Sequence, residues 1–260
     1  MKTQGPFDGS ALDPCSPAKL YPQWPAPEQV KAWVTTREYG PSQAPYDAFN
    51  PADHVGDDPQ QVALCRQQLV VETGGRPLNW LEQTHSTQVL SHFAPGAQAD
   101  AAIARSGDYA CVVLTADCLP VFFCDRRATV VGVAHAGWRG LAAGVLENTV
   151  AEMAVPPEEL LVWLGPAIGA RVFEVGAEVR QAFVDGHPEA AAAFVPSPYR
   201  LKHYMADLYR LARQRLQAVG VTQIFGGNLC SFVDAERFYS YRRDGQATGR
   251  MASVIWLDTP

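Results

Sequence analysis

The stretch from residue 109 to 135 constrains this chain more than any other. It holds three short, strongly β-prone runs, 109–115, 119–124 and 129–135, parted by breaks of only a few residues. A parallel crossover needs about a dozen residues or more between its strands, so these breaks argue against a doubly wound parallel fold. Runs as apolar as Val112-Val113-Leu114 and Val121-Phe122-Phe123 suit strands covered on both faces. They predict neighbouring strands of a buried sheet. Around them, further strand patterns stand at 24–36, 79–90, 160–164, 222–225, 237–242 and 251–257. Helical spacing recurs at 58–69, 141–153, 177–183 and 205–219, with Leu141, Val145, Leu146, Val150 and Met153 on one face of the second. Strands that come both in runs and alternating with helices predict an α+β fold of mixed sheets with helices outside.

Residues 1–19 mix Pro, Gly, Ser and Asp without an apolar period and read as a disordered extension that carries Cys15. Residues 20–260 are expected to form a single domain: with 47% apolar and 18% charged residues, the chain has material for one large core. A net charge of −6 lacks the basic footprint that neutralises a phosphate backbone, which argues against nucleic acid as a partner. No apolar run approaches the roughly 18 residues of a membrane span, and the start lacks a secretory h-region, so no membrane association and a cytoplasmic location are expected. Six cysteines without a CxxC pair predict reduced thiols, and Cys111 and Cys124, on β runs, are expected in the core.

Three side chains stand out at predicted strand ends: His85, Cys118 and His135. A catalytic metal needs about three N or S ligands and one open position, and rigid strand ends aim such ligands well. Taken singly, each has a plainer role, since strand-end histidines are commonly hydrogen-bonded and cysteines on β runs usually pack as small hydrophobes. Local context separates two of them from that pattern. Cys118 falls in the break between two β runs beside Asp117, and His135 precedes the loop Ala136-Gly137-Trp138-Arg139-Gly140.

In order along the chain stand Thr36-Arg37, His54-Val55-Gly56-Asp57-Asp58-Pro59, Trp80-Leu81-Glu82-Gln83 with His85, and Thr115-Ala116-Asp117-Cys118-Leu119-Pro120. They are followed by His135-Ala136-Gly137-Trp138-Arg139-Gly140, Trp163-Leu164-Gly165-Pro166-Ala167-Ile168-Gly169, and Tyr241-Arg242-Arg243-Asp244 with Thr248-Gly249-Arg250. Over about residues 20–260 this set resembles the YfiH-type proteins, also called multicopper polyphenol oxidases or laccase-domain proteins. The resemblance implies an αββα layered sandwich, related to Cys/His hydrolase-like proteins, with His85, Cys118 and His135 as zinc ligands. It departs from the family's usual pattern at His85-Ser86, Arg37-Glu38-Tyr39-Gly40, Phe49-Asn50-Pro51-Ala52 and Cys65-Arg66, which implies a different pocket rim along 37–52.

The resemblance further implies a zinc-dependent purine nucleoside enzyme: phosphorolysis of adenosine, inosine and methylthioadenosine, and deamination of adenosine. Asp117 would then orient a ligand or carry a proton, or else simply cap its turn. Arg37, Asn50, Gln83, Arg139, Arg243 and Arg250 would face the small-molecule substrates, Arg139 in a Gly-flanked loop suited to phosphate. Other uses of the site remain open. Members of this family are also described as peptidoglycan-editing amidases that remove L-Ser from UDP-MurNAc-L-Ser. Without metal, Cys118 and His135 would make a nucleophile and base. Copper is a possible alternative occupant, yet six histidines with no His-x-His pair fall short of a self-contained laccase.

Overall fold

The computed structural model describes residues 17–258, so most of the expected 1–19 extension, with Cys15, lies outside the described residues. In chain order the strands are β1 (Lys19–Leu20), β2 (Val30–Thr35), β3 (Leu78–Asn79), β4 (Val89–Leu90), β5 (Ala101–Ala104), β6 (Ala110–Thr115), β7 (Leu119–Asp125), β8 (Val131–Ala136), β9 (Leu160–Leu164), β10 (Glu174–Gly176), β11 (Phe194–Pro196), β12 (His203–Ala206), β13 (Gln223–Gly226) and β14 (Met251–Leu257). The helices are α1 (Pro59–Glu72), α2 (Trp138–Ala143), α3 (Val145–Met153), α4 (Ala177–Val184), α5 (Leu208–Ala218) and α6 (Tyr241–Asp244). Already at Lys19 the chain pairs with Thr35, one residue before the expected start of the domain.

Two mixed sheets carry the fold, ordered β1-β2-β14-β6-β3 and β13-β9-β7-β8-β5-β4, with a small β10-β12-β11 sheet beside them. Side-chain alternation sorts the apolar strands into three cores. On β7, Val121 and Phe123 pack with Leu141, Leu146, Leu211 and Leu216 of the helices. Phe122 and Cys124, on its other face, pack with Cys111, Val113, Met251 and Ile255 of the facing sheet. Beyond that sheet, Val112, Leu114, Trp33 and Trp256 close on Cys65 and Leu69 of α1. The layers therefore run helix, sheet, sheet, helix: the αββα sandwich that the resemblance implied. Both faces of β6 and β7 are covered, which explains why their sequences are apolar throughout rather than alternating.

One expectation about these strands needs correcting. The three β runs form strands as predicted, but only β7 and β8 are neighbours, whereas β6 lies in the opposite sheet. The break Ala116-Asp117-Cys118 is a crossing between layers, taken with Asp117 in the left-handed region at φ 87°. A short break fixes proximity, not membership of one sheet.

Helix boundaries follow their caps. Asp58 accepts from the Gln60 N–H, and Pro59 opens α1 where its missing N–H costs nothing. Asp207 accepts from the Arg210 N–H, so the helix expected over 205–219 starts at Leu208 and leaves Met205 to β12. The helix expected over 141–153 divides into α2 and α3 at Gly144, whose φ of 105° few other residues adopt. Two strand expectations fail. Residues 79–90 form a loop between the short β3 and β4, and 237–242 form a turn leading into α6. Both segments are held by side-chain hydrogen bonds, which hydrophobic pattern does not register.

Candidate metal centre

Each of the three predicted ligands is placed by a different device. His135 sits on β8 opposite Pro120 of β7, so the sheet register brings it beside Cys118, the residue preceding β7. His85 is not at a strand end, as expected from sequence, but within the loop joining β3 to β4, with a left-handed φ of 60°. That loop is gathered by Asp100, which immediately precedes β5. Its carboxylate accepts the N–H groups of Thr84 (3.2 Å), His85 (3.0 Å) and Ser86 (2.5 Å) and the Ser86 hydroxyl (2.7 Å).

The result is convergence. One ligand atom each from His85, Cys118 and His135 lies within 4.8 Å of the others, with Cys118 Sγ 3.8 Å from His85 Nε2. The imidazole centroids are 4.8 Å apart and the rings are inclined at 63°. His135 is buried, Cys118 half-buried and His85 exposed, so the cluster opens to solvent on the His85 side. Gly137 forms its floor. A Cβ built there would stand 2.6 Å from His85 Cδ2 and 3.0 Å from Cys118 Sγ, so only glycine leaves the cluster room. Gly137 itself has φ −63°, which any residue can adopt, so the constraint is one of space.

The electrostatics also match a ligand set. Burial alone would raise the Asp100 carboxyl, but hydrogen bonds from His135 and Ser86 outweigh it and hold the group at about 2. Burial opposes charge on His135, yet Cys118 and Asp100 raise its value to about 9. The Cys118 thiol, pushed up by burial, is brought down to about 6 by His135 and His85. A ready thiolate, a second imidazole and a carboxylate fixing the far ring nitrogen are what zinc or copper sites of N/S type use. On donor chemistry, spacing and the glycine floor, the residues fit one metal ion.

The other predicted site residues divide sharply. Asp117 spends both carboxylate oxygens on Ser231 Oγ (2.6 Å), Ser240 Oγ (3.0 Å) and the Arg242 N–H (2.7 Å), tying the sheet crossing to the C-terminal loops. Asn50, fully buried, bonds Ala52, Asp57 and the Arg250 N–H. Gln83 brackets Leu114, donating to its carbonyl (2.9 Å) and accepting its N–H (2.7 Å). Arg243 binds the carbonyls of Ser231, Phe232 and Phe238 and pairs with Asp244. Arg37 binds the Asp47 and Ala235 carbonyls and lies over the Tyr239 ring. All five are engaged by other parts of the chain. Arg250 is different: it feels the charges of Cys118 and Asp117, it lies 6.0 Å from the Tyr241 ring, and its Nη2 has no hydrogen-bond partner among the described residues. Burial lowers its value, so the guanidinium is partly stripped of water. Arg139 is exposed and stacks on Trp138 at 4.5 Å.

Two contributors escaped the sequence, Asp100 and the steric role of Gly137. A lone carboxylate opening the apolar run 101–104 was the available signal for the first, because a buried carboxylate must find donors. The remaining four histidines stand apart from the cluster: His187 bonds Arg215, His54 adjoins Asp53, His203 bonds the Leu201 carbonyl, and His92 follows β4, its carbonyl accepting from Asn79. Cys111 and Cys124 are buried thiols whose values burial raises, as core cysteines should be.

Fold and cluster together define a layered αββα protein with a Cys/His centre where the chain passes from one sheet to the other. The chain belongs to the laccase-domain family of YfiH-type proteins: residues 31–258 match the family described as "Multi-copper polyphenol oxidoreductase laccase". A Pseudomonas aeruginosa protein named purine nucleoside phosphorylase is 56% identical over 92% of this chain and 98% of its own length. Escherichia coli K12 YfiH, also named purine nucleoside phosphorylase, is 51% identical over 92% of this chain and 98% of its own. Among solved structures, a Neisseria meningitidis protein superposes with a TM-score of 0.89 at 49% identity, covering 93% of this chain and 99% of that one. YlmD of Geobacillus stearothermophilus gives 0.81 at 26% identity, covering 93% and 100%.

Proposed function

We propose that this chain is a zinc-dependent purine nucleoside enzyme that splits adenosine, inosine and methylthioadenosine with phosphate and deaminates adenosine. The observation that carries the proposal is the three-donor cluster open on the His85 side, in a chain 56% identical to a protein named purine nucleoside phosphorylase. His85, Cys118 and His135 would hold the ion. Bound zinc supplies Lewis acidity and a water of lowered pKa.

The chain's own residues supply the rest. Asp100 keeps the His135 ring in one tautomer, with Nδ1 toward the carboxylate 2.7 Å away and Nε2 toward the cluster. Cys118 would bring a negative charge that partly neutralises a bound ion. Arg250, which feels the charge of Cys118, offers a partly desolvated cation near the cluster, and the exposed Arg139 of α2 offers a second; a guanidinium is a strong seat for a phosphate. Phosphorolysis then exchanges the N-glycosidic bond for a ribose–phosphate bond, releasing the base and ribose 1-phosphate. Deamination exchanges the exocyclic amine for oxygen from water and releases ammonia.

A second use of the same atoms has a specific observation behind it. Asp100, His135 and Cys118 form a Cys-His-Asp series with a lowered thiol and a raised imidazole, which would serve a metal-free acyl transfer. His85 argues for the metal, since such a triad has no need of a second imidazole 3.8 Å from the sulfur. Purified protein incubated with adenosine and phosphate, followed by mass spectrometry, should yield adenine, ribose 1-phosphate and inosine, and chelation should abolish all three. Turnover of UDP-MurNAc-L-Ser without nucleoside cleavage would instead identify an amidase. Oxidation of phenols by copper-loaded protein alone would favour the oxidase suggested by the family's description.

A further inference from the structure

We propose that the cavity outside the carboxyl ends of the parallel strands β9 and β13 is a second ligand site, built for a small molecule that carries a phosphate group. The inference stands independently of the nucleoside proposal.

Carboxyl ends of parallel strands joined through a helix leave a crevice that α/β proteins use for ligands. Here β9 and β13 pair in parallel, Leu164 beside Gly226, with α5 on the connection between them. The cavity at this end has a volume of about 560 Å³, within the range of small-molecule sites. Its charge is distinctive. Arg171, Arg210 and Arg213 line it against one carboxylate, Asp207, in a chain whose net charge is −6. Arg213 is fixed by the carbonyls of Ile224 (3.0 Å) and Gly226 (2.7 Å), and Asp207 accepts the Arg210 N–H as a helix cap. Neither the Arg171 nor the Arg210 side chain has a hydrogen bond, ion pair or ring partner among the described residues. Two free guanidiniums and a third held in place, facing one opening, suit the three-oxygen face of a phosphate. Leu229 and Val233 on the same lining suit an organic body attached to it.

The cavity lies along the same rim of the six-stranded sheet as the Cys/His cluster, because β9 also pairs with β7, whose first residue follows Cys118. Its walls are tied to the cluster through Asp117. The Asp117 carbonyl accepts the Ile168 N–H (2.9 Å), and its carboxylate accepts the Ser231 hydroxyl. The thiol of Cys230, which accepts the Gly169 N–H, lines the cavity and offers a built-in reporter.

The test uses the full-length, metal-loaded protein. Isothermal titration calorimetry with adenosine 5′-monophosphate, and separately with inorganic phosphate, is run on wild type, on Arg171→Ala/Arg210→Ala and on His85→Ala. Binding that survives His85→Ala but weakens at least about tenfold in the double variant supports the site. Peptide-resolved alkylation of Cys230 should slow in the same titration. If inorganic phosphate alone binds and the double variant loses it, the seat is confirmed and its natural source is the free ion. No binding of either probe to wild type overturns the proposal, as does binding that disappears with His85→Ala yet persists in the double variant. Both arginines are exposed, so the double variant should melt at the wild-type temperature.

Discussion

Asp100 Oδ1 lies 2.7 Å from Nδ1 of His135, and the same carboxylate collects the backbone N–H groups that hold His85 in its loop. One buried side chain thus orients two of the three donors of the Cys/His cluster, from two separate segments, at once.

Replacing it should therefore do more than remove a hydrogen bond. Asp100→Asn brings an amide N–H₂ toward donors already crowded there and replaces the charged partner of His135 by a neutral one. We expect metal affinity to fall about 10- to 100-fold with the fold retained. Competition against a chromophoric zinc chelator, alongside circular dichroism, measures both quantities. Unchanged affinity would remove Asp100 from the metal centre.

The pH dependence of this pair has a defined window. Asp100 titrates at about 2 in the folded chain, below its ordinary 3.8, so its stabilisation is present above that value and is lost as pH falls toward 2. His135 titrates at about 9, above its ordinary 6.5, so its share is complete below 6.5 and is lost as pH rises through 9. In chelator-stripped protein the gap in urea midpoint between wild type and Asp100→Asn should be widest between pH 4 and 6.5. A gap that grows above pH 9 contradicts the pairing.

Gly137→Ala tests the floor of the cluster. Its backbone φ of −63° suits alanine, so helix α2 should still form, while the new methyl meets His85 and Cys118 Sγ. Zinc content after dialysis should drop by at least about tenfold relative to wild type with little change in far-ultraviolet dichroism. Full zinc occupancy in this variant would mean that the ligands reach the ion from another side.

Gln83→Ala should act on stability and hardly on substrate affinity. It leaves the Leu114 N–H and carbonyl without their partner inside the structure, a cost of about 1–3 kcal/mol. Urea denaturation should register that loss while KM stays within about twofold, because both ends of the Gln83 amide are committed to Leu114. A large rise in KM at unchanged stability would return Gln83 to the binding site.

Much of the molecule was legible in its sequence because short-range physics decided it. The apolar runs at 109–115, 119–124 and 129–135 specify strands covered on both faces, the helical spacing from Asp58 places α1, and the residues Cys118 and His135 stand out by their positions between such elements. Tertiary structure alone decided the rest. The separation of β6 from β7 into opposite sheets depends on which neighbours, β14 or β8, each strand finds far along the chain. Asp100 reaches two histidines, and Asn50, Gln83 and Arg243 reach other segments of the chain, through hydrogen bonds whose partners no local pattern announces. Hydrophobic periodicity records which face of an element is buried; it carries no information about which distant polar group will be waiting there.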